Sequence, residues 1–127
     1  MVEQVKLLAP SERVMLDQDR LHALYDELGD VGAEDVVCRA MEELAVRLSY
    51  AEKLCRRGEY KDMQKVVRSL VAISEQIGMN ALARVAKDVC GCIEANDHVA
   101  LGATLARLAR IGERSLSAIW DIDDFCP

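Results

Sequence analysis

Two histidines, His22 and His98, are the imidazoles available to carry a phosphoryl group or a proton near neutral pH. His22 has Asp26 one helical turn beyond it, and His98 directly follows Asp97. The five cysteines, Cys38, Cys55, Cys90, Cys92 and Cys126, form an odd set without a C-x-x-C pair, which argues against a disulfide framework and against a zinc knuckle. Cys90 and Cys92 stand two apart, so a helix turns them to different sides and they cannot grip one metal together. All five read as small core or surface fillers. The chain has no phosphate-cradling glycine loop, no histidine clustered with carboxylates, and no Ser or Cys nucleophile motif. Adjacent acids at Glu42-Glu43 and Asp123-Asp124 read as solvent-facing charge. These residues point away from an enzyme, and no cofactor or metal is expected.

The charge balance narrows the partners. Lys+Arg 16 against Asp+Glu 22 leaves a net charge of −6 over 127 residues. Duplex nucleic acid, which is held by clustered Lys and Arg on phosphates, is therefore an unfavourable ligand. No stretch approaches the roughly 20 apolar residues of a membrane span. The opening Met1-Val2-Glu3-Gln4-Val5-Lys6 places an acid where a signal peptide would be basic and then apolar, so the expected location is cytoplasmic. At this length a single compact domain buries enough surface to need no staple.

The elements that must position these residues are helices. Pro10 and Pro127 are the two prolines, so nothing interrupts helix formation between them. Asp17 suits an N-cap, with Leu16 and Leu21 as the two halves of a hydrophobic staple, and Leu21, Leu24, Tyr25 and Leu28 make an apolar stripe up to Gly29. A second stripe, Ala33, Val37, Ala40, Met41, Leu44, Leu48, Ala51, Leu54 and Cys55, predicts a helix over 32–57 that leaves through Gly58. Met63, Val66, Val67, Leu70, Ile73, Ser74 and Ile77 line the next helix, which stops at Gly78. Asn80 is placed to cap a helix lined by Leu82, Val85, Ala86, Val89 and Ile93, and Asp97 to cap a last one lined by Leu101, Leu105, Leu108, Ile111, Leu116 and Ile119. Gly102 and Gly112 inside that last helix each cost about 1 kcal/mol relative to Ala. A close helix crossing would account for them, a cost left unremoved being the alternative.

Connections of two to four residues make consecutive helices antiparallel neighbours. The expected fold is all-α: an antiparallel up-down four-helix bundle over residues 32–119 with an additional N-terminal helix packed at one end. The domain plan is an N-terminal segment (1–16), the bundle (17–120) and an acidic C-terminal tail (121–127).

Several segments give this order a more specific texture. They are Leu24-Tyr25-Asp26-Glu27-Leu28-Gly29-Asp30, the helix ending before Gly58-Glu59-Tyr60, the run Val67-Arg68-Ser69-Leu70-Val71-Ala72, the stop Ile77-Gly78, and Leu82 beyond it. Over residues 17–119 the chain resembles the histidine-containing phosphotransfer (HPt) domain family. In that family the corresponding helix carries H-x-L-K-G, with a glycine six residues later. Alignment on Leu70 and Gly78 puts the pattern on Arg68, Ser69, Leu70, Val71 and Ala72. The phosphoaccepting His is thus replaced by Arg68, the phosphate-contacting Lys by Val71, and the small Gly by Ala72.

Transfer of a phosphoryl group to an aspartate needs a nitrogen with a free lone pair. A guanidinium stays protonated and only donates, and Val71 removes a cation that would have balanced phosphate charge. What the resemblance then implies is a non-catalytic HPt-like module of a bacterial two-component phosphorelay, binding a response-regulator receiver domain or a histidine kinase without carrying phosphate. The strip opposite the inner stripe of this helix, Lys61, Gln64, Lys65, Arg68, Ala72 and Glu75, with Val71 at its edge, is the expected partner-binding surface. The competing readings are a solvated helix face, a structural or adaptor bundle that self-associates through an apolar face, and a phosphotransfer protein that uses His22 or His98. Which partner is bound, and in what oligomeric state, is not written in the sequence.

Overall fold

A computed structural model describes residues 16–123, with side chains described up to Ile119. The expected opening segment before Leu16, most of the acidic tail, and Cys126 lie outside the described residues. Four helices follow one another and no strand occurs among the described residues: α1 (Gln18–Arg56), α2 (Tyr60–Gln76), α3 (Asn80–Glu94) and α4 (His98–Asp123). α1 packs against α2, α2 against α3, α3 against α4, and α4 against α1, whereas among the described residues the backbones of the two diagonal pairs do not come close. The four helices therefore surround one core, which includes Leu44, Leu54, Met63, Leu70, Leu82, Leu108 and Ile119.

At Gly29, where the sequence predicts the first helix to stop, the helical geometry is broken by a kink. The glycine's φ of 76° and ψ of 171° are not helical, but helix is assigned on both sides of it within α1. The expected gap before residue 32 thus shrinks to a single glycine. Leu28, read as part of the inner stripe, is 44% exposed beside this kink, while Leu21 and Leu24 are buried. The change of direction carries the end of the stripe off the core.

The three connections between these helices share one solution. Helices α1, α2 and α3 end with a left-handed residue, Gly58 (φ 72°), Gly78 (φ 80°) and Asn96 (φ 54°). In each the following amide reaches back to the carbonyl five residues earlier: Glu59 to Leu54 (3.0 Å), Met79 to Ser74 (2.8 Å), and Asp97 to Cys92 (3.0 Å). This closes the orphan carbonyls of the last turn and sends the chain into the next helix within three residues.

Helix starts follow the sequence at two places and depart from it at a third. Asp17 accepts from the Arg20 amide (3.1 Å) and Asp97 from the Ala100 amide (3.1 Å), both as expected of N-caps. Asn80 does not cap α3. Met79 holds the cap position with no side-chain hydrogen bond, and Asn80 is the first helical residue, donating through Nδ2 to Asp17 Oδ2 (3.4 Å). The reason is packing: Met79 is 1% exposed, and burying it draws the start of the helix up against the Gly78 turn.

That turn also anchors the start of α1. The Asp17 amide donates to the Gly78 carbonyl (2.8 Å), and Arg20 Nε donates to the Gln76 carbonyl (2.9 Å) at the end of α2. A Cβ on Gly78 would sit 2.8 Å from the Asp17 carbonyl oxygen, so glycine is required there both by φ and by space. Gly112 is the close crossing that the sequence suggested, since its Cβ would meet Leu48 Cδ1 at 2.6 Å where α4 passes α1. Gly102 has open space around it, and the alternative of an unremoved cost applies to it.

The cysteines divide. Cys55, Cys90 and Cys92 are free and half-buried, as fillers would be. Cys38 is disulfide-bonded, which corrects the reading that none of the five is bridged. No described helix is long and apolar enough to cross a membrane.

Candidate functional site

α2 alternates buried and open positions with helical spacing. Met63, Val67, Leu70 and Ser74 are buried, which turns Lys61, Lys65, Arg68, Ala72 and Glu75 outward; Gln64 and Val71 are half-buried at the margin towards α3. The seven residues of the strip therefore lie on one side of α2. Ser69, next to Arg68, turns the other way: its Oγ donates to the Val66 carbonyl (2.6 Å) and accepts from Arg47 Nε of α1 (2.9 Å).

α3 completes this surface, and the sequence did not point to its contribution. Arg68 Nη2 lies 3.6 Å from Glu94 Oε1 near the end of α3, and Gln64 Nε2 donates to the same carboxylate oxygen (3.0 Å). Lys87 Nζ donates to Glu75 Oε2 (3.2 Å). A shallow groove of about 320 Å³ lies between the helices, lined by Arg68, Val71, Lys87, Cys90, Gly91 and Glu94. Lys87, Gly91 and Glu94 do repeat at spacings of four and three opposite the buried Leu82, Val85, Ala86 and Val89, so an open face of α3 was legible in the sequence. Which face of α2 it meets is a matter of register, and the sequence does not state it. Lys61 and Lys65 make no ion pair among the described residues.

The titration of the Cys90 thiol is displaced by its surroundings. Partial burial pushes its pKa up; the Arg68 guanidinium pulls it down in part, and the Glu94 carboxylate adds to the rise. It is thus kept protonated near neutral pH, which is the wrong direction for a nucleophile.

The two histidines lie outside the strip. His22 is exposed on the first turns of α1, and His98 is exposed at the start of α4, its ring 4.8 Å from that of Tyr60 with a 40° tilt. No group of three or more His, Cys, Asp or Glu side chains is placed to hold a metal among the described residues. Chemically, the α2–α3 groove offers Arg68 and Lys87 as exposed cations, a carboxylate engaged with each, and a partly apolar floor. Such a surface can exchange ion pairs. Comparison with protein-family models, with curated proteins and with solved structures gives no match for this chain.

Proposed function

We propose that the chain is a non-catalytic, HPt-like interaction module of a bacterial two-component phosphorelay, an antiparallel up-down four-helix bundle whose kinked first helix supplies the additional N-terminal element. Cross-helix pairs support the antiparallel arrangement: Gln64 with Glu94 and Glu75 with Lys87 between α2 and α3, and Cys92 with Thr104 and Asp88 with Arg107 between α3 and α4. In each set the residue numbers rise on one helix as they fall on the other. The bundle docks a receiver domain, or the equivalent part of a histidine kinase, through Lys61, Gln64, Lys65, Arg68, Val71, Ala72 and Glu75 of α2.

The observation that carries this reading is the setting of Arg68. Its side chain is 64% exposed in the middle of α2, where the resemblance places a phosphoaccepting histidine. A fixed cation there fits the acidic phosphorylation pocket of a receiver, and it would compete with Mg²⁺ and with true phosphodonors without accepting phosphate itself. A charge-assisted pair of this kind contributes about 1.5 to 3 kcal/mol. The test is calorimetric titration of isolated receiver domains into the wild-type protein and into Arg68→Glu. The expected outcome is a loss of at least ten-fold in affinity; equal binding of both proteins removes Arg68 from the mechanism.

One observation favours a second reading. Val46 and Tyr50, one turn apart on α1, are 68% and 46% exposed, which gives a self-associating adaptor an apolar face to use. Light scattering combined with amide exchange separates the readings: a stable dimer whose amides around Val46 and Tyr50 become protected supports the adaptor, and a dimer whose α2 amides become protected excludes receiver docking through that strip.

A further inference from the structure

The cations of the α2–α3 groove are already held from within the chain. Arg68 meets Glu94 through a single nitrogen at 3.6 Å, longer than the 2.7–2.9 Å of a well-formed charge-assisted bond. Gln64 donates to the same carboxylate oxygen. Two turns along α2, about 10 Å away, Glu75 engages Lys87 of α3. All four charged side chains are between 52% and 64% exposed, so water screens both pairs and each is easily exchanged. Between them the floor is Val71, Cys90 and Gly91. Gly91 has no heavy atom within 4 Å of where a Cβ would stand, so among the described residues nothing fills the space above it.

We propose that Glu94 is a built-in competitor for Arg68, and that an acidic partner surface docks in the α2–α3 groove by putting its own carboxylate in the place of Glu94. This deepens the proposed function and rests on it for the identity of the partner as a receiver domain; the exchange itself rests on the groove. It extends the docking surface from α2 to Lys87, Gly91 and Glu94 of α3. It also has a sign that an α2 strip acting alone does not give: deleting a charge at the site strengthens binding. An exposed pair of this kind holds back a competitor by at most about five-fold.

The probe is a hexa-aspartate peptide titrated into the full, isotope-labelled chain, with affinity read at the backbone amides of Arg68 and Gly91. Glu94→Gln is expected to bind two- to five-fold tighter than wild type, and Glu34→Gln, which removes an exposed charge elsewhere on α1, is expected to bind within a factor of about 1.5 of wild type. Arg68→Gln is expected to abolish the gain when combined with Glu94→Gln. The proposal is overturned if the two single charge deletions act alike, if the gain survives without Arg68, or if the peptide leaves the Arg68 and Gly91 amides unmoved. Receiver domains run in parallel separate the two readings. A receiver that binds Glu94→Gln more tightly than wild type supports both. Receivers that bind neither protein, alongside the expected peptide result, overturn the phosphorelay reading while supporting the exchange with a different acidic partner.

Discussion

Arg68 and Cys90 feel each other across the groove, and a single residue change is enough to report it. Burial dominates the rise in the Cys90 pKa, with Arg68 opposing it and Glu94 adding to it. Arg68→Gln should therefore push the thiol further up and slow its alkylation by iodoacetamide at mildly alkaline pH, while Glu94→Gln should speed it. Peptide mapping distinguishes Cys90 from Cys55 and Cys92. The sign for stability follows from the same direction. A thiol whose pKa is raised on folding adds stability that is present below its ordinary pKa and is lost as pH climbs through the raised value. Wild-type unfolding free energy is thus expected to decline on the alkaline side, and to decline less in Cys90→Ala. The same decline in both proteins would show that Cys90 is not its source.

At the scale of elements, the contrast between two glycines of α4 measures what a helix crossing costs. Gly102 is exposed and open, so Gly102→Ala should gain close to the full intrinsic difference, about 1 kcal/mol. At Gly112 the added Cβ meets Leu48, and the Leu side chain must give way before any gain appears. Gly112→Ala is expected to gain less or to lose stability, with the two changes compared by urea unfolding. Equal gains would mean that α4 does not approach α1 as closely as 2.6 Å implies. Helix ends were legible for a related reason. Capping by Asp17 and Asp97 and exit through Gly58 and Gly78 involve residues within a few positions of one another, so their chemistry is written locally. Asn80 was misread because burial of Met79, a tertiary demand, outranked a local capping preference.

For the whole molecule, the strip on α2 is only as well positioned as the core behind it. Leu70 is fully buried two residues from Arg68, and α2 packs on both α1 and α3. Leu70→Ala should cost about 2 to 5 kcal/mol, a large share of the 5 to 15 kcal/mol typical of a domain. If the four helices form one cooperative unit, denaturation followed by helical circular dichroism and by amide signals from α1 and α4 will shift together. Separate transitions would mean that α2 is held by its neighbours only locally, and a docking surface on it would not be preorganised.

Sequence alone determined the helical class, the order of the helices, the inner stripes and most of the caps, because each depends on spacing within one turn or across one short loop. It also placed a guanidinium, Arg68, in the middle of the second helix. Tertiary structure decided which faces meet: Glu94 at Arg68 and Gln64, Lys87 at Glu75, Leu48 at Gly112, and the exposure of Leu28 past the Gly29 kink. These partners lie from 12 to 64 positions apart, apart from the Leu28–Gly29 neighbours. Their meeting is fixed by how whole helices slide and cross, a quantity that no single stripe of residues encodes.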